Sequence, residues 1–172
     1  MDLDSLRIDL KGLKTGHTKL EFNLDDSYFK FVEATQINGG KVYVSLDIEK
    51  TADNNFFLNF YETGTVNIPC DICLDPMEQI IDTKQSLEVR FGIENQENDT
   101  LVIIPENDGI LDVTWFIYEF LTLVIPIRHV HKLGECNPAM IHTLEEYTAN
   151  RYGEENEKEI DPRWAALSKL KE

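Results

Sequence analysis

The sequence predicts an α+β fold: a twisted antiparallel β-sheet, built as a meander that curls towards a barrel, with one buried helix and a C-terminal helical tail. Three observations predict this class. Residues 41–50 alternate apolar and polar side chains with a period of two, which is typical of a strand that buries one face. Further short strand-like segments follow, separated by polar turns. Residues 109–127 then switch to apolar residues at helical spacing.

The N-terminal residues are predicted to form a hairpin of their own. Residues 4–13 and 17–24 both carry strand-like alternation, with Gly12 and Gly16 at the expected bend. We therefore expect these two segments to pair with each other.

The central strands are predicted to follow one another in the sheet. Residues 56–68 come after the polar turn 51–55, so a hairpin with residues 41–50 is the simplest connection. Residues 77–93 then return beside them, and residues 101–105 form a short late strand. Consecutive strands with short connections favour an antiparallel meander.

The apolar segment 109–127 is predicted to be a buried helix. Asp112 is a suitable N-cap, and Pro126 ends the run. Its aromatic residues, Trp115 among them, are interpreted as core packing rather than as a ligand platform. The residues that recur at helical spacing and define the buried face are Val113, Phe116, Phe120, Leu123 and Val124.

The chain is expected to form one folded domain with a short tail. Residues 1–153 are assigned to a single α+β domain, with a second helix at 140–153 that Gly153 ends. Residues 154–172 are assigned to an acidic linker and a short terminal helix, which begins at Asp161 as N-cap.

Composition and charge exclude several classes of protein. With 42% hydrophobic and 28% charged residues, the chain is typical of globular proteins. No apolar run reaches the roughly 20 residues of a membrane span, and residues 1–22 do not resemble a secretory signal, so a cytoplasmic location is expected. The net charge of −16 repels nucleic-acid phosphates. Contact with RNA would therefore need a local basic patch or a bridging basic protein.

Cysteines and histidines in two segments form a candidate metal site. Cys70 and Cys73 have the spacing of a metal knuckle, and His129, His131 and Cys136 follow the predicted helix. The best set for a closed tetrahedral zinc site is Cys70, Cys73, His131 and Cys136. Four protein ligands would leave no position for a substrate, so such a zinc ion would be structural.

Other interpretations of these residues stay open at this stage. The thiols could be free of metal, in which case no cofactor is expected. A redox pair normally opens a helix after a strand, whereas Pro69 and Pro76 place this motif in a turn between strands. The chain lacks the nucleophile-elbow, phosphate-loop, dinucleotide and metalloprotease motifs, so no enzyme, catalytic residue or small-molecule substrate is expected. A metallothiol enzyme built on the same cluster is the alternative.

Several motifs occur in an order that is typical of one family. A P-C-x-x-C-L turn is followed by a helix of the form I-L-D-x-x-x-x-x-x-E-F-L-x-L-x-I-P-I, a His/Cys loop and a closing D-P-R-W-A-A-L-S-K-L. In this order they resemble the YceD family, the bacterial large ribosomal RNA subunit accumulation proteins. The matching positions are Cys70, Cys73, Leu74, Leu111, Asp112, Glu119, Leu121, Pro126, Cys136, Asp161, Pro162, Trp164, Leu167 and Leu170.

The resemblance carries expectations about the site. Members of the family often have a second cysteine pair after the helix, whereas this chain has Cys136 alone with His129 and His131 upstream. This departure from the family pattern argues against a site with four cysteines and leaves a mixed Cys/His site.

The resemblance also implies a function and partners. It implies a non-catalytic role in ribosome biogenesis, supporting accumulation of large-subunit ribosomal RNA. The partner would be a ribosomal RNA precursor, bound through a small cationic region, or a basic ribosomal protein that the acidic surface holds. The candidate RNA-binding residues are Lys11, Lys14 and Lys19 near the N-terminus and Arg128, His129 and Lys132 after the helix.

Overall fold

The computed structural model describes residues 3–93, 96–97 and 101–148. The chain divides into two compact units, Met1–Asn137 and Pro138–Glu172. The first unit contains the sheet, a buried helix and the cysteine cluster. Among the described residues, the second contains one helix, Pro138–Tyr147, without a buried side chain. The helix predicted at 140–153 therefore begins earlier, while Gly153 and the predicted tail 154–172 lie outside the described residues.

The elements of the first unit follow in chain order. A short 3-10 helix, Leu3–Leu6, leads into β1 (Arg7–Asp9), β2 (Gly16–Leu24) and α1 (Asp26–Phe31). Then come β3 (Gly39–Lys50), β4 (Asn55–Pro69), β5 (Pro76–Gly92), β6 (Gln96–Glu97), β7 (Leu101–Pro105) and β8 (Ile110–Asp112). The last element is α2 (Thr114–Val124), and the helix of the second unit is α3. The predicted α+β class is confirmed.

The described strands form two sheets. The larger has the order β2-β3-β4-β5-β7-β6, and the smaller pairs β1 with β8. Strands β2 to β5 form the predicted antiparallel meander, whereas β7 runs parallel to β5. Within the described residues the larger sheet is open, with β2 and β6 as edges, so the expected curl does not close into a barrel.

The predicted N-terminal hairpin is wrong. Strand β1 pairs with β8, in the register Ile8 to Leu111, and β2 pairs with β3 instead. The Lys50 ammonium donates to the carbonyl oxygens of Leu10, Lys11 and Leu13, at 3.4, 3.4 and 2.9 Å, and so holds the connecting loop against β3. Ile8 is only 5% exposed, so β1 lies against the core. There its backbone pairs with that of β8.

The core lies between one face of the large sheet and helix α2. Strand alternation buries Val42, Val44, Leu46 and Ile48 of β3, as predicted. Phe60 of β4 meets Phe120 of α2 edge to face, with ring centroids 5.2 Å apart. Helix α1, which sequence patterns did not indicate, is joined to α2 by the Tyr28 hydroxyl, which donates to the Thr114 carbonyl at 2.8 Å.

Helix α2 ends before Pro126 as predicted, but its start differs from the prediction. It begins at Thr114 rather than directly after Asp112, whose side-chain oxygen Oδ1 accepts the Thr114 N–H at 2.9 Å. It ends at Val124, before Pro126. Trp115 and Leu123, both predicted to be core residues, are 50% and 73% exposed, because an 11-residue helix on a sheet can bury only one side.

Candidate metal centre

The cysteine turn lies at the end of the longest hairpin of the sheet. Strands β4 and β5 pair along their whole length, from Asn55 with Arg90 to Pro69 with Pro76. Proline at these two positions ends the ladder, because it has no N–H to donate. Cys70 to Asp75 therefore form a tight turn, closed by hydrogen bonds from Cys70 N to Asp75 O and from Leu74 N to Cys70 O, both 2.9 Å.

The second half of the site comes from the loop after α2. Pro126 prevents the helix from continuing. The loop that follows passes over the Cys70–Asp75 turn and places His131 and Cys136 beside it. Asn137, at the end of this loop, donates from its side-chain amide to the Asp75 carboxylate at 3.1 Å. The two segments are thus held side by side although 58 positions separate Cys73 from His131.

The four predicted ligands converge. One ligand atom from each of Cys70, Cys73, His131 and Cys136 lies within 4.8 Å of the others. The Cys70 and Cys136 sulfurs are 3.9 Å apart, and His131 Nδ1 is 3.3 Å from the Cys73 sulfur and 4.0 Å from the Cys136 sulfur.

These separations match a tetrahedral metal site. Bond lengths to zinc of about 2.3 Å for sulfur and about 2.05 Å for nitrogen place sulfurs about 3.8 Å apart and sulfur about 3.5 Å from nitrogen. A disulfide, by contrast, requires a sulfur separation of about 2.05 Å. All three cysteines are free. The arrangement can therefore hold a metal ion such as zinc with four protein ligands.

The surroundings of Cys70 favour its thiolate form, which is the form that binds a cation. Burial by itself raises the pKa of its thiol, but hydrogen bonds from the backbone N–H groups of Cys73, His131 and Ile72 outweigh burial and lower the pKa to about 6. The Ile72 N–H lies 3.5 Å from the sulfur. Burial and the neighbouring cysteines raise the pKa of Cys136 to about 11, and hydrogen bonding to Cys70 raises the pKa of His131. Without a cation, the cluster thus favours a thiolate at Cys70 and a neutral thiol at Cys136.

Asp71 ties the two halves of the site together. Its Oδ2 accepts the backbone N–H of His129 at 2.7 Å, and its Oδ1 lies 3.3 Å from His129 Nε2. Its own N–H donates to the His129 carbonyl at 2.9 Å. His129, predicted as an RNA-binding candidate, is thereby engaged within the protein.

The other RNA-binding candidates are exposed and scattered over several elements. Lys11 and Lys14 lie in the loop between β1 and β2, and the Lys11 ammonium donates to the Asn107 carbonyl at 3.3 Å. Lys19 lies on the edge strand β2, in register with Asp47. Arg128 and Lys132 lie in the loop of the metal ligands. The candidates thus form two loop pairs and one strand residue rather than a single basic patch shown by the structure, and their role in binding RNA stays a prediction.

One buried carboxyl group was missed. Glu62 of β4 is 0% exposed, and neither of its carboxylate oxygens has a hydrogen-bond partner among the described residues. Burial raises its pKa to about 8. Its position in the alternation after Phe56, Leu58 and Phe60 would have placed it on the buried face.

The fold and the site together define a small α+β protein whose sheet and post-helix loop are joined by a Cys3His cluster of the kind that holds a structural metal. The family model for the large ribosomal RNA subunit accumulation protein YceD matches residues 58–171 of the 172-residue chain. The chain belongs to the YceD family. No match was found among curated proteins or among solved structures. None of the described helices is long and apolar enough to span a bilayer.

Proposed function

We propose that this chain is a non-catalytic, cytoplasmic factor of ribosome biogenesis that supports the accumulation of large-subunit ribosomal RNA. The observation that carries the proposal is the family match over residues 58–171, which includes every candidate metal ligand. The closed ligand cluster supports a non-catalytic role, since four converging protein ligands leave no coordination position for a substrate.

The cluster is proposed to bind one structural zinc ion. Cys70, Cys73, His131 and Cys136 would hold it, and the ion would supply a cross-link between the β4–β5 turn and the loop after α2. The cation would neutralise the thiolates, and its bonds to all four ligands would hold the turn and the loop in one arrangement.

Of the two possible partners, a basic ribosomal protein fits the charge better than naked RNA. The chain has 32 acidic and 16 basic residues. An anionic surface can hold a cationic ribosomal protein and release it to the denser phosphate array of the RNA. Direct RNA contact would depend on the scattered candidates Lys11, Lys14, Lys19, Arg128 and Lys132.

The function is tested by removing the chain from cells of its source organism. We expect a fall in large-subunit ribosomal RNA relative to small-subunit RNA, and its recovery when the full chain is supplied again. Sucrose-gradient profiles and quantitative RNA measurement would show both effects. An unchanged ratio of the two RNAs would contradict the proposal.

Removing the Asp71 clamp should weaken metal binding without removing a ligand. Because Asp71 positions the loop that carries His131, we expect Asp71→Ala to raise the zinc Kd on the order of 10-fold. Competition with a chromophoric chelator measures the constant. Asp82→Ala, an exposed aspartate on β5, is the matched control and should leave it unchanged. Equal constants for Asp71→Ala and the control would show that the clamp does not order the site.

A thiol titration separates the structural site from the alternative, a metallothiol enzyme. Cys70 has a lowered pKa of about 6, the one feature that favours a nucleophile, but it is 0% exposed. We expect all three thiols of the zinc-loaded protein to resist a thiol reagent and to react after chelation. A single thiol that reacts rapidly in the loaded protein would favour the enzyme.

A further inference from the structure

An apolar groove lies beside the exposed side of α2. It has a volume of about 370 Å³ and runs between the end of α1 and the start of α2. Phe31, 58% exposed, and Trp115, 50% exposed, form its apolar surface. Aromatic residues that stay exposed together on a folded domain are typical of binding sites for other proteins.

The groove is part of a longer surface along the same helix. Trp115, Glu119 and Leu123 follow one another at intervals of four residues and therefore share one side of α2. A second, separate groove of about 400 Å³ has a mixed lining, in which Thr35, Gln36 and Thr122 lie beside the exposed Ile127. The apolar surface next to α2 is therefore centred on Phe31 and Trp115.

The walls of the groove are held in place. The Trp115 indole N–H donates to the Glu119 carboxylate at 2.8 Å, and the ring lies 5.2 Å from that of Tyr118. The Tyr118 hydroxyl accepts the Thr35 N–H at 3.3 Å, which joins segment 31–36 to the helix. An aromatic anchor site that exists before binding loses less entropy on association.

The rim of the groove is acidic. Glu33 and Asp112 line it, and among the described lining residues there is no lysine or arginine. The nearby basic residues lie outside the lining: Lys30 precedes Phe31 in α1, and Arg7 of β1 is in register with Asp112. Glu33 also has a left-handed backbone, with φ of 50°, directly after α1, where glycine is the usual residue. Glu33 thus places a carboxylate at the rim in a backbone conformation that favours glycine.

We propose that this groove is a docking site for a basic amphipathic segment of a ribosomal protein. An apolar side chain of that segment would lie against Phe31 and Trp115, and its lysine or arginine residues would face Glu33 and Asp112. The inference rests on the proposed function and specifies the partner. Acidic side chains at the rim disfavour RNA phosphates, and they disfavour a second copy of a chain whose net charge is −16.

The test uses the immobilised full chain with two probes: the total protein extracted from large ribosomal subunits, and large-subunit RNA freed of protein. Proteins that are retained are identified and quantified by mass spectrometry. Trp115→Ala and Glu33→Gly are the groove variants, and Ile80→Ala and Glu78→Gln are matched controls on exposed positions of β5. Thermal melting and zinc content confirm that each variant is folded, and Glu33→Gly should be at least as stable as the parent.

We expect a defined basic ribosomal protein to be retained by the parent chain and by both controls. Trp115→Ala should reduce retention at least 10-fold, as is typical of an aromatic anchor, and Glu33→Gly several-fold. Groove variants that retain the protein as the controls do would overturn the inference. So would retention of RNA that Trp115→Ala abolishes, or light scattering that shows a dimer dissociated by the same change.

Complementation separates this inference from the proposed function. If the parent chain restores large-subunit RNA and Trp115→Ala restores it equally, the groove inference is wrong and the function stands. If removal of the chain leaves the RNA unchanged, the proposed function itself is wrong. We expect the parent and Ile80→Ala to restore the RNA and Trp115→Ala to fail.

Discussion

Replacing Cys73 with serine is expected to abolish stoichiometric zinc binding and to lower the melting temperature by about 10 °C. A ligand that binds only the folded state stabilises it by about 4 kcal/mol when its free concentration is 1,000 times Kd. A chain of this size shifts its melting temperature by about 2–4 °C for each kcal/mol. Cys73 is 2% exposed, with its sulfur 3.3 Å from His131 Nδ1. Serine keeps the shape of this side chain with a slightly smaller volume, but its neutral hydroxyl is a poor zinc ligand.

Metal analysis after dialysis and melting with and without a chelator measure this effect. His131→Asn removes the ligand on the other segment and should lose zinc as well. Loss in both variants would show that the effect is not caused by misfolding of the cysteine turn alone. His142→Gln is the control, because His142 lies on α3 with its side chain 73% exposed. Full zinc content in both Cys73→Ser and His131→Asn would show that the metal is bound elsewhere.

Replacing Glu62 is expected to remove a large part of the pH dependence of stability. Its pKa is raised by burial from 4.5 to about 8 in the folded state. Between those values the folded chain holds a proton that the unfolded chain has lost, so the free energy of unfolding falls as the pH rises. The free energy of unfolding falls by on the order of 4–5 kcal/mol between these two pKa values, and it does not fall through this group below pH 4.5.

The prediction is tested by urea unfolding of the parent and of Glu62→Gln from pH 5 to pH 8.5. The parent should lose stability relative to the variant across this range, with the difference levelling off above pH 8. Glu62→Met fills a similar space without a polar group and should be the most stable of the three at the highest pH. The reason is that neither carboxylate oxygen of Glu62 has a hydrogen-bond partner among the described residues. Glu78→Gln, on the exposed side of β5, should leave the slope unchanged. Parallel curves for the parent and Glu62→Gln would refute the prediction.

The zinc and Glu62 experiments probe separate parts of the first unit. Cys73 joins the β4–β5 turn to the loop after α2, whereas Glu62 lies in the middle of β4, in register with Val44 and Thr83. Glu62→Gln should therefore leave zinc content unchanged, and Cys73→Ser should retain the pH dependence that Glu62 causes.

Local patterns were sufficient for the elements that depend on near neighbours in the chain. Period-two alternation predicted β3 and the hairpin of β4 with β5, and helical spacing with Pro126 predicted α2. The pairing of β1 with β8 could not be predicted in this way, because the partners are separated by about a hundred residues and the short N-terminal strand carries no signal for its partner. The parallel pairing of β5 with β7 joins residues that are close in the chain, Glu88 with Leu101, but a short connection between strands favours antiparallel pairing, so the local pattern pointed to the wrong direction.

For the candidate site, residue types and spacing alone determined which side chains could bind a metal, and they indicated that any metal would be structural. Only the tertiary structure decided that the two segments meet, that Asp71 and His129 clamp them, and that Trp115 faces outward beside Phe31 while Glu62 is enclosed without a partner. The physical reason is range. Side-chain chemistry and strand or helix periodicity are properties of adjacent residues, whereas proximity, exposure and desolvation depend on which distant surfaces the whole chain packs together.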